Sequence, residues 1–186
     1  MMNNLRLMAK SGNYERFEQR KRQPAYEKIR HQLLSQANGA CSFCGIERGD
    51  HDILNLDGDY GNNHARNLAL ACRLCRDCLL MDRYSLSYDG GDVLIWLPEL
   101  SQSQLNIMLY SLARLYKQDD KNSNFKAKSF YSELKDRAET LRQLLSEDIH
   151  PGCFRFLSSH DSLSCAEVTK IKLLRAIEDV PIIDYL

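Results

Sequence analysis

Two cysteine pairs constrain this chain more than anything else in it. Cys41-x-x-Cys44-Gly45 and Cys72-x-x-Cys75 are separated by 27 residues, and each pair can turn two thiolates toward one tetrahedral ion. Zinc takes four such ligands at about 2.3 Å and, with all four positions filled by protein, keeps none for water. The spacing therefore predicts one structural Zn2+ rather than a catalytic one. A disulfide reading needs an oxidising compartment, and the start of the chain, MMNNLRLMAKSGNYERF, has no hydrophobic region of the kind that directs export. No run of 18 apolar residues occurs either. The chain is expected to stay in the cytoplasm, with no direct membrane insertion and with free thiols at Cys78, Cys153 and Cys165.

Cys75-x-x-Cys78 is a third pair of the same spacing, so by spacing alone two registers compete. The residues upstream choose between them. Asp57-Gly58-Asp59, Asn62-Asn63 and Asn67-Leu68-Ala69-Leu70-Ala71-Cys72 resemble the zinc-containing HNH endonuclease motif, which puts Cys41, Cys44, Cys72 and Cys75 on the metal and leaves Cys78 as a small buried hydrophobe one helical turn later. Four thiolates around a dication carry a net charge of −2, which backbone N–H groups and Arg73 or Arg76 are placed to offset.

The same resemblance argues against nuclease chemistry. An HNH enzyme needs a His base on the first strand and a second His after the last knuckle cysteine to hold the catalytic cation. Here Leu54-Asn55 and Arg76 stand at those places. Asn takes no proton near neutral pH and Arg does not ligate a cation. His51 and His64 are the nearby substitutes: the first needs a register shift, and the second sits in a polar turn. Asp57 and Asp59, either side of Gly58, fit a turn that hydrogen-bonds its own backbone better than a metal pair.

Zero formal net charge argues against a nucleic-acid binder held by bulk electrostatics. The charge is uneven, however: residues 1–36 carry eight basic and three acidic side chains, a net of +5. Residues 1–23 therefore read as a basic arm, solvated and partly mobile. A helix begins at Pro24 and ends near Gly39. Ile53, Leu54 and Leu56 form a strand, Leu68 and Leu70 a second, and a helix from about Arg73 to Arg83 completes a ββα unit. Tyr84, Leu86 and Tyr88 alternate before Asp89-Gly90-Gly91-Asp92, which with Val93 to Leu97 predicts a hairpin. Ser101 and Gln104 form a capping box for a helix striped by Leu105, Met108, Leu109, Leu112 and Leu115. Gln118 to Asn124 is polar and reads as a loop. Beyond it, one amphipathic helix carries Phe130, Leu134, Ala138, Leu141, Leu144 and Leu145, and another, from Ser164, carries Val168, Ile171, Leu174 and Ile177 to Pro181.

The predicted fold is α+β: an HNH-like ββα zinc core with two CxxC knuckles (residues 24–118, with hairpin and packing helix), the basic arm before it, and a helical C-terminal region (119–186). No nucleophile–base pair and no phosphate-binding glycine loop appears in it.

The block ILNLDGDYGNNHARNLALACRLCRDCLL, followed by DVLIWLPELSQSQLN, resembles the IcmJ/DotN family of the Dot/Icm type IVB secretion apparatus, well over residues 24–112 and loosely thereafter. The resemblance implies a non-catalytic adaptor in the type IV coupling complex. Such a subunit docks on the cytoplasmic C-terminal tail of the DotL coupling ATPase, beside DotM and the IcmS–IcmW adaptors, and is recruited to the inner membrane through that partner. A tail helix would need an apolar groove, for which Val93, Ile95, Trp96, Leu105 and Met108 are the candidate surface. A zinc-dependent nucleic-acid-binding module and an HNH-type nuclease are the alternative classes.

Overall fold

Short apolar strands flank the two knuckles, and in the computed structural model, which describes residues 3–47, 49–145, 149–157 and 163–183, they close around them. β1 (His51–Asn55) pairs antiparallel with β2 (Leu68–Cys72), His51 opposite Cys72 and Asn55 opposite Leu68. β2 runs straight into α3 (Arg73–Leu79). Both strands are buried along almost their whole length, because the knuckle covers one side of the pair and two N-terminal helices cover the other. These helices are α1 (Asn13–Lys21) and α2 (Ala25–Gln36). The mixture of helices with two small sheets is α+β, as predicted.

Residues 3–23 depart from the expected solvated arm. Leu5 and Phe17 are buried in the core, and the Phe17 ring meets Tyr60 edge-on at 6.1 Å. Asn13, fully buried, donates to the Gly58 carbonyl at 2.7 Å. Hydrophobic positions four and more residues apart are enough to dock a helix this short when the partner surface already exists. Charge counting alone does not see them.

The hairpin expected over Ser85 to Pro98 does not form. Met81–Ser85 is a 3-10 turn, and β3 (Val93–Trp96) pairs instead with β4 (Ile171–Leu174), Val93 opposite Leu174 and Trp96 opposite Ile171. β4 replaces most of the helix expected from Ser164. The helical pieces there are α7 (Cys165–Val168), held by a capping box between Ser164 and Glu167, and a 3-10 turn at Ile177–Asp179. The run Ile171-Lys172-Leu173-Leu174 is apolar and short, so periodicity alone leaves helix and strand open, and the free edge of β3 decides for strand. This pair also joins residues on either side of position 118.

α4 (Gln102–Tyr116) starts at the predicted Ser101–Gln104 capping box. α5 (Lys121–Leu145) begins inside the polar stretch expected to be a loop, with the Asp120 carboxylate accepting from the Ser123 N–H at 2.9 Å at its start. α5 covers β3 and packs along α4, burying Ala127, Leu134, Ala138, Leu141 and Leu145. Phe130 and Leu144, placed on that stripe by periodicity, are exposed. One hydrophobic core runs from Leu5 through the knuckles and α4 to Ile183. α6 (Phe154–Leu157) adds Phe154 and Leu157 to it. No helix among the described residues is long and apolar enough to cross a membrane.

Candidate metal centre

The knuckle geometry follows from backbone bonds. Cys41 N–H donates to Ile46 O at 2.8 Å and Gly45 N–H to Cys41 O at 2.9 Å, a tight turn that Gly45 completes at φ +75°. Ser42 N–H donates to Leu70 O at 2.8 Å, which fixes this turn to β2. Cys72 is the extended residue before α3, and Cys75 lies in the first turn of α3. The four sulfurs of Cys41, Cys44, Cys72 and Cys75 thereby lie within 4.8 Å of one another, all buried. Cys44 Sγ and Cys72 Sγ are 3.5 Å apart. No disulfide links the seven cysteines, and that separation far exceeds the roughly 2.05 Å of an S–S bond. It is close to the edge of about 3.8 Å that a tetrahedron with ligand bonds of about 2.3 Å requires. Cys78, fully buried, is outside the group.

The donor set also fits a cation chemically. Hydrogen bonds from Cys44, Cys72 and Cys75 draw the Cys41 thiol far below its ordinary range. The hydrogen bonds with Cys41 and Cys44, together with burial, hold Cys72 and Cys75 well above it. Crowded sulfurs resist ionising together, and a dication among them is what removes that resistance. Neutral donors surround them. Cys72 N–H points at Cys41 Sγ at 3.3 Å, and Asn106 Nδ2 donates to Cys75 Sγ at 3.4 Å. The Tyr110 hydroxyl bonds Cys72, with burial first and the Cys72 charge second raising its pKa. Asn106 and Tyr110 come from α4, four residues apart on its buried face. The sequence signal for them is two polar groups set among the apolar stripe of this helix. Arg76, expected near the sulfurs, turns away to Asp52 at 2.8 Å and Asp77 at 2.9 Å, and Arg73 is exposed.

The positions at which an HNH enzyme would keep its histidines are filled structurally. Leu54 is core. Asn55 Nδ2 donates to the carbonyls of Asp59 at 2.9 Å and Asn62 at 2.6 Å, and Arg20 of α1 donates to Asn55 Oδ1 and to Ile53 O. Both ring nitrogens of buried His51 face carbonyls, Gly49 O at 3.0 Å and Ile46 O at 2.9 Å. His64 is exposed in its turn. Asp57 accepts from Asp59 N–H at 2.8 Å, Asn67 Nδ2 at 2.9 Å and Asn62 Nδ2 at 2.7 Å. The Asp59 N–H bond first, then those of the two asparagines, lowers its pKa. The acids thus hold the turn.

Of the five candidate partner residues, Ile95 and Leu105 are 0% exposed and belong to the core. Val93, Trp96 and Met108 are half-buried around it, Trp96 beneath the Lys170 ammonium at 5.4 Å from its ring.

No family model matches the chain. A curated relative, the Type 4 apparatus protein DotN of Legionella pneumophila, is 30% identical over 179 residues, which span 95% of this chain and 83% of the relative. The likeness therefore covers knuckles, α4 and C-terminal half alike, and on that extent the chain belongs to the DotN (IcmJ) family.

Proposed function

We propose that this chain is a non-catalytic docking subunit of a type IV coupling complex. It binds the cytoplasmic C-terminal tail of a DotL-like coupling ATPase, beside DotM-like and IcmS–IcmW-like components, and so supports effector recruitment at the inner-membrane face. The observation that carries this reading is the kinship with a type 4 apparatus protein over 95% of the chain.

The residues supply the means. Cys41, Cys44, Cys72 and Cys75 are the ligands for one zinc ion, in the β1–β2–α3 unit that we read as HNH-like. Bound by four thiolates, zinc is a cross-link with no open position for substrate or water. Asn106 and Tyr110 orient Cys75 and Cys72, and through them α4 is tied to the knuckles. The β3–β4 pair is then held at a fixed place against the start of α4 through Gln102, and Val93, Trp96 and Met108 are the surface we assign to a helical tail segment. Arg20 over Asn55 and the Arg76 ion pairs occupy the ground that a nuclease would need for its base and cation.

Calorimetric titration of the zinc-loaded protein with a peptide from the coupling ATPase tail of the same organism tests this. One-to-one binding that weakens in Trp96→Ala is the expected result. An intact, zinc-loaded protein that ignores the tail but cleaves plasmid DNA when magnesium or nickel is added would replace the reading with an HNH-type nuclease.

A further inference from the structure

Beside β4 the surface opens into a cavity of about 540 Å³. Leu5 and Leu7 of the extended N-terminal segment, Leu100, Phe154 and Val168 supply its apolar lining, and β4 itself supplies Ile171 and Lys172. The edge of β4 that faces away from β3 is only partly closed. Leu173 N–H donates to Gln102 Oε1 at 2.9 Å and Gln102 Nε2 donates to Leu173 O at 3.0 Å, so a side-chain amide of α4 copies one residue of a neighbouring strand. Backbone groups that face one edge recur every second residue. Those of Ile171, which lines the cavity, therefore face the same edge as Leu173, and among the described residues nothing hydrogen-bonds them there.

The charged lining is one-sided. Lys172 is 5% exposed, and its ammonium, with three protons to donate, gives one to the Thr169 carbonyl. No carboxylate of the described residues lies within ion-pair distance of it. Burial lowers its pKa, with the more distant Glu99 charge acting in the opposite sense. Glu99, the acid in the lining, is already paired with Arg137 at 2.9 Å. Arg6 and Lys170 add two more cations at the rim. A buried ammonium short of partners is costly to keep, and a carboxylate brought by a ligand completes it.

We propose that this cavity binds an extended acidic peptide segment as an added strand. The backbone of the segment pairs with the Ile171 edge of β4, one of its carboxylates meets Lys172, and its alternate apolar side chains fill the space between Leu5, Phe154 and Val168. The site lies along the edge of β4 that faces away from β3, the strand that carries Val93 and Trp96. It does not depend on the coupling ATPase as the source of the segment, so tail binding and this binding can succeed or fail independently.

The test is fluorescence anisotropy on the full zinc-loaded chain, with a fluorescein-labelled ten-residue probe peptide that alternates valine or threonine with glutamate. A second probe replaces every glutamate by glutamine, and a third carries one N-methylated backbone amide at its centre. Saturable binding of the first probe is expected, weaker by roughly ten-fold or more for each of the other two and for the first probe on Lys172→Met, the scale of a lost charge-assisted or strand hydrogen bond. Lys172→Met keeps the length of the side chain, and its zinc content and melting are checked alongside. The glutamine and N-methyl probes need no variant, so a misfolded Lys172→Met leaves the test intact. Equal binding of acidic and glutamine probes overturns the proposal, as does unchanged binding by a folded Lys172→Met. Absence of saturation by about 1 mM probe, weaker than any useful docking interaction, overturns it too, including when anionic vesicles bind in its place.

Discussion

At the scale of the residue, the four-sulfur group is braced by side chains outside it. Asn106 is held by Gln102 Nε2, which donates to its Oδ1 at 2.9 Å, and this leaves Nδ2 aimed at Cys75. A hydrogen-bonded line thus runs from Leu173 of β4 through Gln102 and Asn106 to a cluster sulfur. Asn106→Leu fills the same volume but removes the donor. It is expected to weaken zinc retention by roughly 10–100-fold, the usual range for such outer partners, as read by competition with a chromophoric chelator, while the protein remains folded with zinc in excess. Cys72→Ser removes one of the four proposed ligands. Because zinc binding contributes on the order of 10 kcal/mol or more to units of this kind, loss of zinc by elemental analysis and loss of the cooperative melting transition are expected together. A Cys72→Ser protein with full zinc and an unchanged melt would mean that the cluster is not the staple.

At the scale of the element, α4 is the organiser. One face carries Leu105 and Leu109 into the core, the same face delivers Asn106 and Tyr110 to the sulfurs, and its first turn seals β4 through Gln102. Its start is set by the reciprocal bonds between Ser101 and Gln104. Ser101→Ala should cost about 1 kcal/mol, visible as a lower midpoint in urea without a change in slope. Leu105→Ala, at a site with no solvent contact, should cost about 2–5 kcal/mol, and the contrast between the two separates capping from packing. α1 and α2 have a different task. Arg20, Tyr26 and Arg30 each bond outward-facing backbone groups of Ile53 or His51, so side chains blunt an edge of β1 that would otherwise accept another strand.

At the scale of the whole molecule, buried charge joins the two halves. Arg175, at the end of β4, lies between Asp77 of α3 and Asp92 ahead of β3, bonded to Asp92 at 2.8 Å and paired with Asp77. Asp77 also takes Arg76 at 2.9 Å and Arg83 at 3.2 Å. Burial first, then the neighbouring Arg73 and Arg76, brings the Arg175 pKa down to about 10. Removing one member strands the others, so Arg175→Met should destabilise by about 3–5 kcal/mol and speed amide exchange selectively at Ile171–Leu174. Acid stability has a separate origin. Burial opposes the charge of Asp52, but Arg76 and Lys21 outweigh it and hold its pKa below 3.8. A lowered carboxylate contributes stability above its unfolded value and loses it as the pH falls through the folded one. Asp92, raised by burial, has the opposite sign. Between pH 5 and about pH 3, therefore, Asp52→Asn should show a shallower loss of unfolding free energy than the natural protein, and equal slopes in urea titrations across that range would refute this.

The sequence by itself determined what is local. Two C-x-x-C knuckles with Gly45, the turn around Asp57 and Gly58, the β1–β2 pair and its following helix, and the capping box at Ser101 all rest on contacts between residues near in the chain or on fixed ligand spacing. Each could be read without knowing the rest of the fold. The four-sulfur group was legible for the same reason. Only the tertiary structure decided that Val93–Trp96 pairs with Ile171–Leu174, that the basic stretch 3–23 docks through Leu5, Asn13 and Phe17, and that Asn106 and Tyr110 face the sulfurs. It also decided that Ile95 and Leu105 are core and not surface. In each case the residue pattern permits several partners of similar local energy. The choice is made by burial against elements far away in the chain, where an unpaired strand edge, an unmet ammonium or an isolated carboxylate costs more than any local preference supplies.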